Sequence, residues 1–554
     1  MATIRTLLLD AAAKSSDRTF LRWKSNKVWH SWTFNEVYKR TRIVSEVAHK
    51  LGAKHGTTVA LMMENRPEWI ITYLGLSSIG CRVVPIDARL QEGEVSYILR
   101  DAQVHAVFAS GRIWPTLNAV MDTLPDLRHI VLLDGVVSKD MKDGRVRIHD
   151  FTQINDECQE KAMQPDAFFD RSVPVETDVT SIIYTSGTTG RPKGAMLTHG
   201  NFTAQLDEGV LNYFKVYEDD NFLLVLPLHH AFAFSGNFLV PLRCRCEISI
   251  VENLRTVAEN MKEVSPTILL AVPLLAEKML NAVMTKLNKN KIAVFMLKCG
   301  LGKIIGNKVR QGLGGRLRLI ICGGAASDKE MLKSYRKLGI SSFEGYGLTE
   351  TAPICALNPE NNVKLGTVGK ALPNCEIRIY NPNEEGVGEI QVKGPVVMKG
   401  YFRNEAATAA CMDGEWFMTG DLGRKDSEGY VTITGRKKCM IVNREGKNIY
   451  PEEVELAINN SPWILESLVV GYTEEGDSAE RVGAIIVPNL DYFAAHRDGF
   501  QARSDEEIIA KCREEVQKMV EELSTYKRPR KLVFRMEPFE KTTTLKIKRF
   551  LYSM

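Results

Sequence analysis

Tyr184-Thr-Ser-Gly-Thr-Thr-Gly-Arg-Pro-Lys-Gly194 is the most informative stretch of this chain. It follows the strand-like run Thr180-Ser-Ile-Ile-Tyr184 and carries four Ser/Thr hydroxyls, three glycines and one lysine within eleven residues. Glycine lets backbone N–H groups approach phosphate oxygens closely, the hydroxyls add donors, and Lys193 adds a point charge. A Walker A loop needs GxxxxGK[ST] running into a helix. Here Lys193 stands between Pro192 and Gly194, so such a helix does not start correctly. The string predicts a phosphate-binding loop of another kind, with Thr185, Ser186, Gly187, Thr188, Thr189, Gly190 and Lys193 as its contacts.

Outward from this loop the pattern alternates. Thr58-Val-Ala-Leu-Met-Met reads as a strand, Glu68 to Leu76 as a helix with Pro67 in its opening turn, and Cys81-Arg-Val-Val-Pro-Ile as a strand again. Val104 to Ala109 and His129 to Leu133 continue the series. Continuous apolar strands alternating with amphipathic segments predict layered, mostly parallel sheets. After about residue 360 the texture turns to glycines and short strands at Glu376–Tyr380, Gly388–Val392 and Tyr430–Thr434, which reads as a small β-barrel-like subdomain. Beyond Arg436 a helix opens at Pro451 with acids in its first turn, strands follow at 468–472 and 482–487, and Asp505 to Leu523 reads as a long charged helix. The expected organisation is α/β: a large N-terminal domain over 1–436 and a small mobile α+β domain over 437–554.

With 554 residues the chain exceeds one ordinary core. A net charge of +4 is too near neutral for a dedicated nucleic-acid binder. Eleven cysteines at irregular spacing, with no CxxC pair, read as reduced thiols rather than a disulfide or metal framework. The N-terminus has three leucines before Asp10, too short a run for a signal peptide, and no stretch approaches the ~20 apolar residues of a membrane helix. This reading expects a cytoplasmic protein and leaves peripheral membrane contact and oligomeric state open.

The loop resembles the YTSGTTGxPKG signature of the adenylate-forming superfamily of acyl-CoA synthetases, peptide-synthetase adenylation domains and luciferases. Further motifs recur in the family's order: Pro227-Leu-His-His-Ala-Phe232, Gly323-Gly-Ala325 after an apolar strand, Gly345-Tyr-Gly-Leu-Thr-Glu350, Thr419-Gly-Asp421, Gly435-Arg436, Gly446 to Glu455, and Lys546-Ile-Lys-Arg549. The resemblance implies ATP, Mg²⁺ and coenzyme A as cofactors. It implies nucleotide contacts from the loop, from Gly323, Gly324, Ala325, Glu344, Gly345, Tyr346, Gly347 and Thr349, and from Asp421 and Arg436. Tyr346 between two glycines suits stacking on a purine. Glu350, with Thr185, is implied as the Mg²⁺ ligand, a carboxylate being a hard oxygen donor. Asp421 has acceptor oxygens for both ribose hydroxyls. His230 is implied at the mouth of the acyl pocket, with Phe232, Phe234, Gly236 and Ala325-Ala326. Lys546 is implied as the mobile lysine that offsets charge as pyrophosphate leaves.

Two positions depart from the family. Leu545 stands where glycine usually precedes the lysine, and Cys439 stands where the hinge usually has aspartate. A hinge needs backbone freedom more than a carboxylate. Gly300-Leu-Gly302-Lys-Ile-Ile-Gly306 imitates a dinucleotide loop, but its spacing is GxGxxxG, and it reads as a helix–loop feature.

The expected function is an ATP-dependent acid–thiol ligase, most like long- or medium-chain fatty acyl-CoA synthetases. No acid lies in Pro227–Gly236 to grip an amino group, which favours a fatty or aryl acid over an amino acid. An acyl-carrier-protein phosphopantetheine is the alternative acceptor. Lys437, Lys438, Arg444 and Lys447 near the hinge suit either an acidic carrier or the phosphates of CoA. A non-catalytic lipid or nucleotide sensor is the reading from another class. Loss of Lys546, Glu350 or the loop hydroxyls would point to it, and all are present.

Overall fold

The computed structural model describes residues 2–134, 144–185, 191–288, 302–445, 447–474, 480–495, 504–541 and 547–554. Ser186, Gly187, Thr188, Thr189, Gly190, Leu545 and Lys546 lie outside the described residues. The chain divides into two units, Met1–Ile377 with Val392–Phe417, and Arg378–Gln391 with Met418–Met554.

Two large sheets build the first unit. One has eight strands in the order Gly400–Tyr401, Lys193–Thr198, Val179–Thr185, Arg82–Pro85, Thr58–Met62, Ala106–Ala109, His129–Leu132, Arg147–Asp150. The six strands from Val179–Thr185 onward are parallel. The other has nine strands in the order Lys370–Ala371, Ile354–Leu357, Ser341–Gly347, Leu319–Cys322, Ile268–Ala271, Asn221–Leu224, Glu247–Ile250, Thr19–Ser25, Val28–Thr33. Its six central strands, from Ser341–Gly347 to Thr19–Ser25, are parallel. Ile268–Ala271 and Leu319–Cys322 are buried along their whole length, which is why they read as unbroken apolar runs.

Helices cover these sheets for local reasons. Pro67 opens the helix Pro67–Ser77, whose residues from Trp69 to Ser77 are all buried, as expected of an element apolar on every side. It lies against the helix Phe34–Lys50, which a Thr33–Glu36 capping box starts. At their contact a Cβ on Gly75 would sit 2.6 Å from Val44 Cγ1, so only glycine permits the approach. The dinucleotide-like run ends inside the helix Gly302–Gly312. There a Cβ on Gly306 would meet the Leu338 carbonyl oxygen at 1.8 Å, which makes this glycine a packing residue.

The second unit contains a three-stranded sheet in the order Ile464–Tyr472, Arg481–Pro488, Lys531–Phe534, antiparallel and then parallel. The helices Pro451–Asn459 and Asp505–Met519 bury Val454, Ile458, Cys512 and Val516 on one face. Phe539, Ile547, Tyr552 and Met554 cover the other, so residues 547–554 fold back onto the sheet. The last helix ends at Met519 rather than Leu523: beyond it the Glu521 N–H bonds the Lys518 carbonyl and the Leu523 N–H the Val520 carbonyl in tighter turns, and Arg528 caps the free Glu521 and Leu523 carbonyls. The glycine-rich stretch contributes the strands Glu376–Tyr380, Gly388–Lys393, Met412–Asp413, Trp416–Lys425 and Val431–Arg436 of one five-stranded sheet. Among the described residues no helix is long and apolar enough to cross a membrane.

Candidate active site

In the first unit the motifs gather at strand ends. Thr185 and Lys193 face each other across the antiparallel pair Val179–Thr185 and Lys193–Thr198. A strand therefore follows the loop, which separates it structurally from a Walker A loop. The loop's base is pinned by two tyrosines: Tyr184 donates to Asp101 at 2.5 Å and Tyr97 donates to the Pro192 carbonyl at 3.0 Å. Burial and Asp101 push the Tyr184 phenol far up, so it stays a donor.

The parallel strands of the nine-stranded sheet deliver other motifs at their carboxyl ends, where open α/β sheets bind ligands. Leu319–Cys322 leads into Gly323, Gly324 and Ala325, and Gly324 takes φ +85. A Cβ on Gly323 would lie 2.9 Å from the Phe232 ring, so this turn closes directly on the Pro227–Phe232 motif. Glu344 anchors the same turn by accepting from the Ser327 N–H at 2.8 Å. Burial raises its carboxyl to about 7. Tyr346 is buried at 7% exposure, with most of its ring covered, and a Cβ on Gly347 would meet the Pro353 carbonyl oxygen at 1.7 Å.

Glu350 lies in the short turn Thr349–Thr351, packed against Lys193–Thr198 and buried at 8% exposure. Its carboxylate accepts the Tyr401 hydroxyl at 2.8 Å, and the Lys193 ammonium stands 5.1 Å from the centre of the Tyr401 ring. Tyr401 thus joins the loop lysine to the expected metal carboxylate. Sequence reasoning missed it, since it lies 51 residues from Glu350 in a segment with no motif of its own. The neighbouring Cys411 thiol is pushed up to about 11, by burial first and Glu350 second, and stays protonated.

His230 precedes the short helix Ala231–Ala233, its ring 4.2 Å from that of His229. His229 Nε2 is 3.5 Å from Asp87 Oδ2, and burial pulls its pKa down to about 4. Asn65, a second missed residue, holds this motif in place. Its Oδ1 accepts from Leu228 N and its Nδ2 donates to the Leu226 carbonyl, both at 2.9 Å.

Behind the motif is a cavity of about 20 Å³, lined by Phe214, Phe222, Phe232, Gly236, Leu270 and Ile321 among others. Its polar lining residues, Gln205 and Ser235, bond to each other, and Gln205 also donates to the Ile354 carbonyl at 3.3 Å. Of the residues expected around an acyl pocket, Phe232 and Gly236 line this cavity. Phe234 instead packs against Tyr73, Phe202 and Phe238, with ring centres 4.6, 4.9 and 5.4 Å away.

The second unit carries Asp421 and Arg436. They pair across the strands Trp416–Lys425 and Val431–Arg436, with Arg436 Nε 3.0 Å from Asp421 Oδ1. Thr419 supports the turn by donating to the Ile390 carbonyl at 2.7 Å and accepting from the Asp421 N–H at 3.1 Å. Lys437 pairs with Glu389 at 2.9 Å. Cys439 ends the short turn Lys437–Cys439, and burial raises its thiol. Arg549 bonds the Glu455 carboxylate and donates to the Val469 carbonyl at 3.3 Å.

The AMP-binding enzyme family matches residues 8–402. A long-chain-fatty-acid–CoA ligase of Mycobacterium bovis is 30% identical over 84% of this chain and 78% of its own length. A 2-succinylbenzoate–CoA ligase of Bacillus thuringiensis is 27% identical over 99% of this chain and 98% of its own. The crystal structure of an anthranilate CoA ligase in complex with anthranoyl-AMP superposes with a TM-score of 0.79 at 23% identity, covering 99% of this chain and 96% of that one.

Proposed function

The chain belongs to the AMP-binding enzyme family, and from that premise we propose that it activates a carboxylic acid with ATP and passes the acyl group to coenzyme A. In the first step a carboxylate oxygen attacks the α-phosphorus, the bond to the β-phosphate breaks, and acyl-AMP and pyrophosphate form. In the second a thiolate attacks the acyl carbonyl and AMP leaves. The observation that carries this reading is the grouping of Lys193, Tyr401 and Glu350 beside the loop hairpin, which sets a cation at the ring and a carboxylate at the hydroxyl of one tyrosine.

Glu350 and the Thr185 hydroxyl are hard oxygen donors, the kind that hold Mg²⁺ together with substrate phosphates. When bound, the metal supplies charge stabilisation on the phosphates. Lys193 and the loop hydroxyls bind the phosphates, Asp421 accepts from the ribose hydroxyls, and Lys546 offsets charge on the carboxylate and α-phosphate. Residues 437–554 act as the mobile domain, turning near Cys439 between the two steps.

The acyl group is apolar, and we assign a fatty acid. The support is the similarity to long-chain-fatty-acid–CoA ligases and the apolar lining behind the Pro227–Phe232 motif, whose space of about 20 Å³ has to widen to admit a chain. An aryl acid is the second reading, favoured by the flat walls of Phe214, Phe222 and Phe232 and by the similarity to 2-succinylbenzoate–CoA ligases.

A panel of straight-chain and aryl acids, assayed for pyrophosphate release with CoA or an acyl carrier protein present, tests the assignment. Fatty acids with CoA should turn over fastest. Turnover restricted to aryl acids selects the second reading, and absence of ATP–pyrophosphate exchange with every acid ends both.

A further inference from the structure

We infer that Tyr401 is the residue that positions Glu350 for its metal, by holding one carboxylate oxygen so that the other is presented to the cation. This rests on the reading of Glu350 as the magnesium ligand. A carboxylate on a short turn has freedom about its side-chain torsions, and a metal ligand needs its orientation set before the ion arrives. The Tyr401 hydroxyl donates to Oε1 at 2.8 Å. A neutral donor steers the carboxylate and leaves its charge intact, whereas a cation in the same place would compete with the metal.

Tyr401 is itself held from several sides. The strand Gly400–Tyr401 pairs with Lys193–Thr198, with Tyr401 opposite Ala195. The Tyr401 N–H donates to Thr408 Oγ1 at 2.9 Å, Phe402 N–H to the Gly194 carbonyl at 2.8 Å, and Lys399 N–H to the Met196 carbonyl at 3.0 Å. Asn201 donates to the carbonyls of Pro395 and Val397 at 2.7 and 2.9 Å. Met398 N–H reaches back to the Glu350 carbonyl at 2.8 Å, so the same segment grips the backbone and the side chain of Glu350. Its ring meanwhile carries the Lys193 ammonium at 5.1 Å, within cation–π range. One side chain therefore sets the spacing between the phosphate-binding cation and the metal-binding anion.

Tyr401→Phe tests this, since it keeps the ring under Lys193 and the strand pairing and removes only the hydroxyl. Mn²⁺ affinity is read by electron paramagnetic resonance with a non-reactive ATP analogue bound, alongside the Mg²⁺ dependence of ATP–pyrophosphate exchange and the melting temperature. Removing such a support should weaken Mn²⁺ binding and raise the half-saturating Mg²⁺ by about tenfold, with exchange at saturating Mg²⁺ largely restored. Binding of the analogue without metal should not change. In the Glu350→Gln background the same substitution should have no further effect on Mn²⁺. Unaltered Mn²⁺ affinity in Tyr401→Phe, or a deficit that excess Mg²⁺ does not relieve, overturns the inference. If Glu350→Gln alone leaves Mn²⁺ affinity unchanged, the assignment of Glu350 falls and this inference with it.

Discussion

Glu350 and Glu455 are both poorly exposed carboxylates, one in each unit, and their partners differ in charge. Glu350 is held by the neutral hydroxyl of Tyr401. Glu455, with 12% of its side chain exposed, accepts from the Val469 N–H at 2.7 Å and is capped by the Arg549 guanidinium. A neutral partner preserves a negative charge for a ligand; a cationic partner cancels it inside the fold. The first arrangement suits binding and the second suits cohesion, although a buried ion pair is mainly felt when one partner is removed.

The largest effect should come from taking the charge away at Glu350. Glu350→Gln should lower adenylation by about 10²–10³, the scale of losing one preorganised electrostatic contact, and should leave the melting temperature close to that of the wild type. Pyrophosphate exchange and calorimetry on one preparation check both halves. Adenylation within about threefold of wild type at saturating Mg²⁺ would remove Glu350 from the metal site.

Arg549→Met should invert that pattern, destabilising the second unit by about 3 kcal/mol because Glu455 is left without its cation. Burial already raises the Glu455 carboxyl to about 7, against the opposing pull of Arg549. Without the arginine that carboxyl should rise further. A carboxyl with a raised folded pKa binds more protons folded than unfolded, so stability declines as pH climbs from about 4.5 through the folded value. The variant should therefore be more stable near pH 5 than near pH 8, and Glu455→Gln added to it should flatten the curve. Urea denaturation across that range would show the wild-type slope unchanged in the single variant if the pair contributes nothing.

A buried base gives the opposite sign. His199 Nδ1 accepts from the Ile4 N–H at 3.2 Å, so the ring must be neutral to keep that bond, and burial pulls its pKa down to about 4. The unfolded chain takes up the proton near pH 6.5, so stability should fall as pH drops from about 6.5 toward 4, by about 3 kcal/mol for this residue. His199→Gln should remove part of that acid slope in urea titrations. An unchanged slope would exclude His199 as a source.

The smallest effect concerns the cavity. A Cβ on Gly236 would lie 2.1 Å from Leu270 Cδ2, so Leu270 fills the space against this glycine. Leu270→Ala should move the preferred acid to a longer chain, each added methylene gaining about 0.8 kcal/mol, or roughly fourfold in kcat/KM, until the space is filled. An unchanged length profile would mean the acyl group lies elsewhere.

Much of the molecule is legible in the sequence because its signals are local. A four-residue apolar run such as Leu319–Cys322 declares a strand covered on both faces, Pro67 and Pro451 mark helix starts, and the loop string carries its family resemblance in contiguous residues. Asp421 and Arg436 stand out in the sequence only singly, and the hairpin register shows that they pair with each other. What the tertiary structure alone decided are contacts between segments distant in the chain. They include Tyr401 on Glu350, Asn65 pinning Leu226 and Leu228, the turn of Phe234 into an aromatic cluster, and the carbonyls of Glu521 and Leu523 that Arg528 caps beyond the last helix. None of these has a local signature, because a tyrosine or asparagine becomes a positioning group only when sheet order and strand register bring its partner within hydrogen-bond reach.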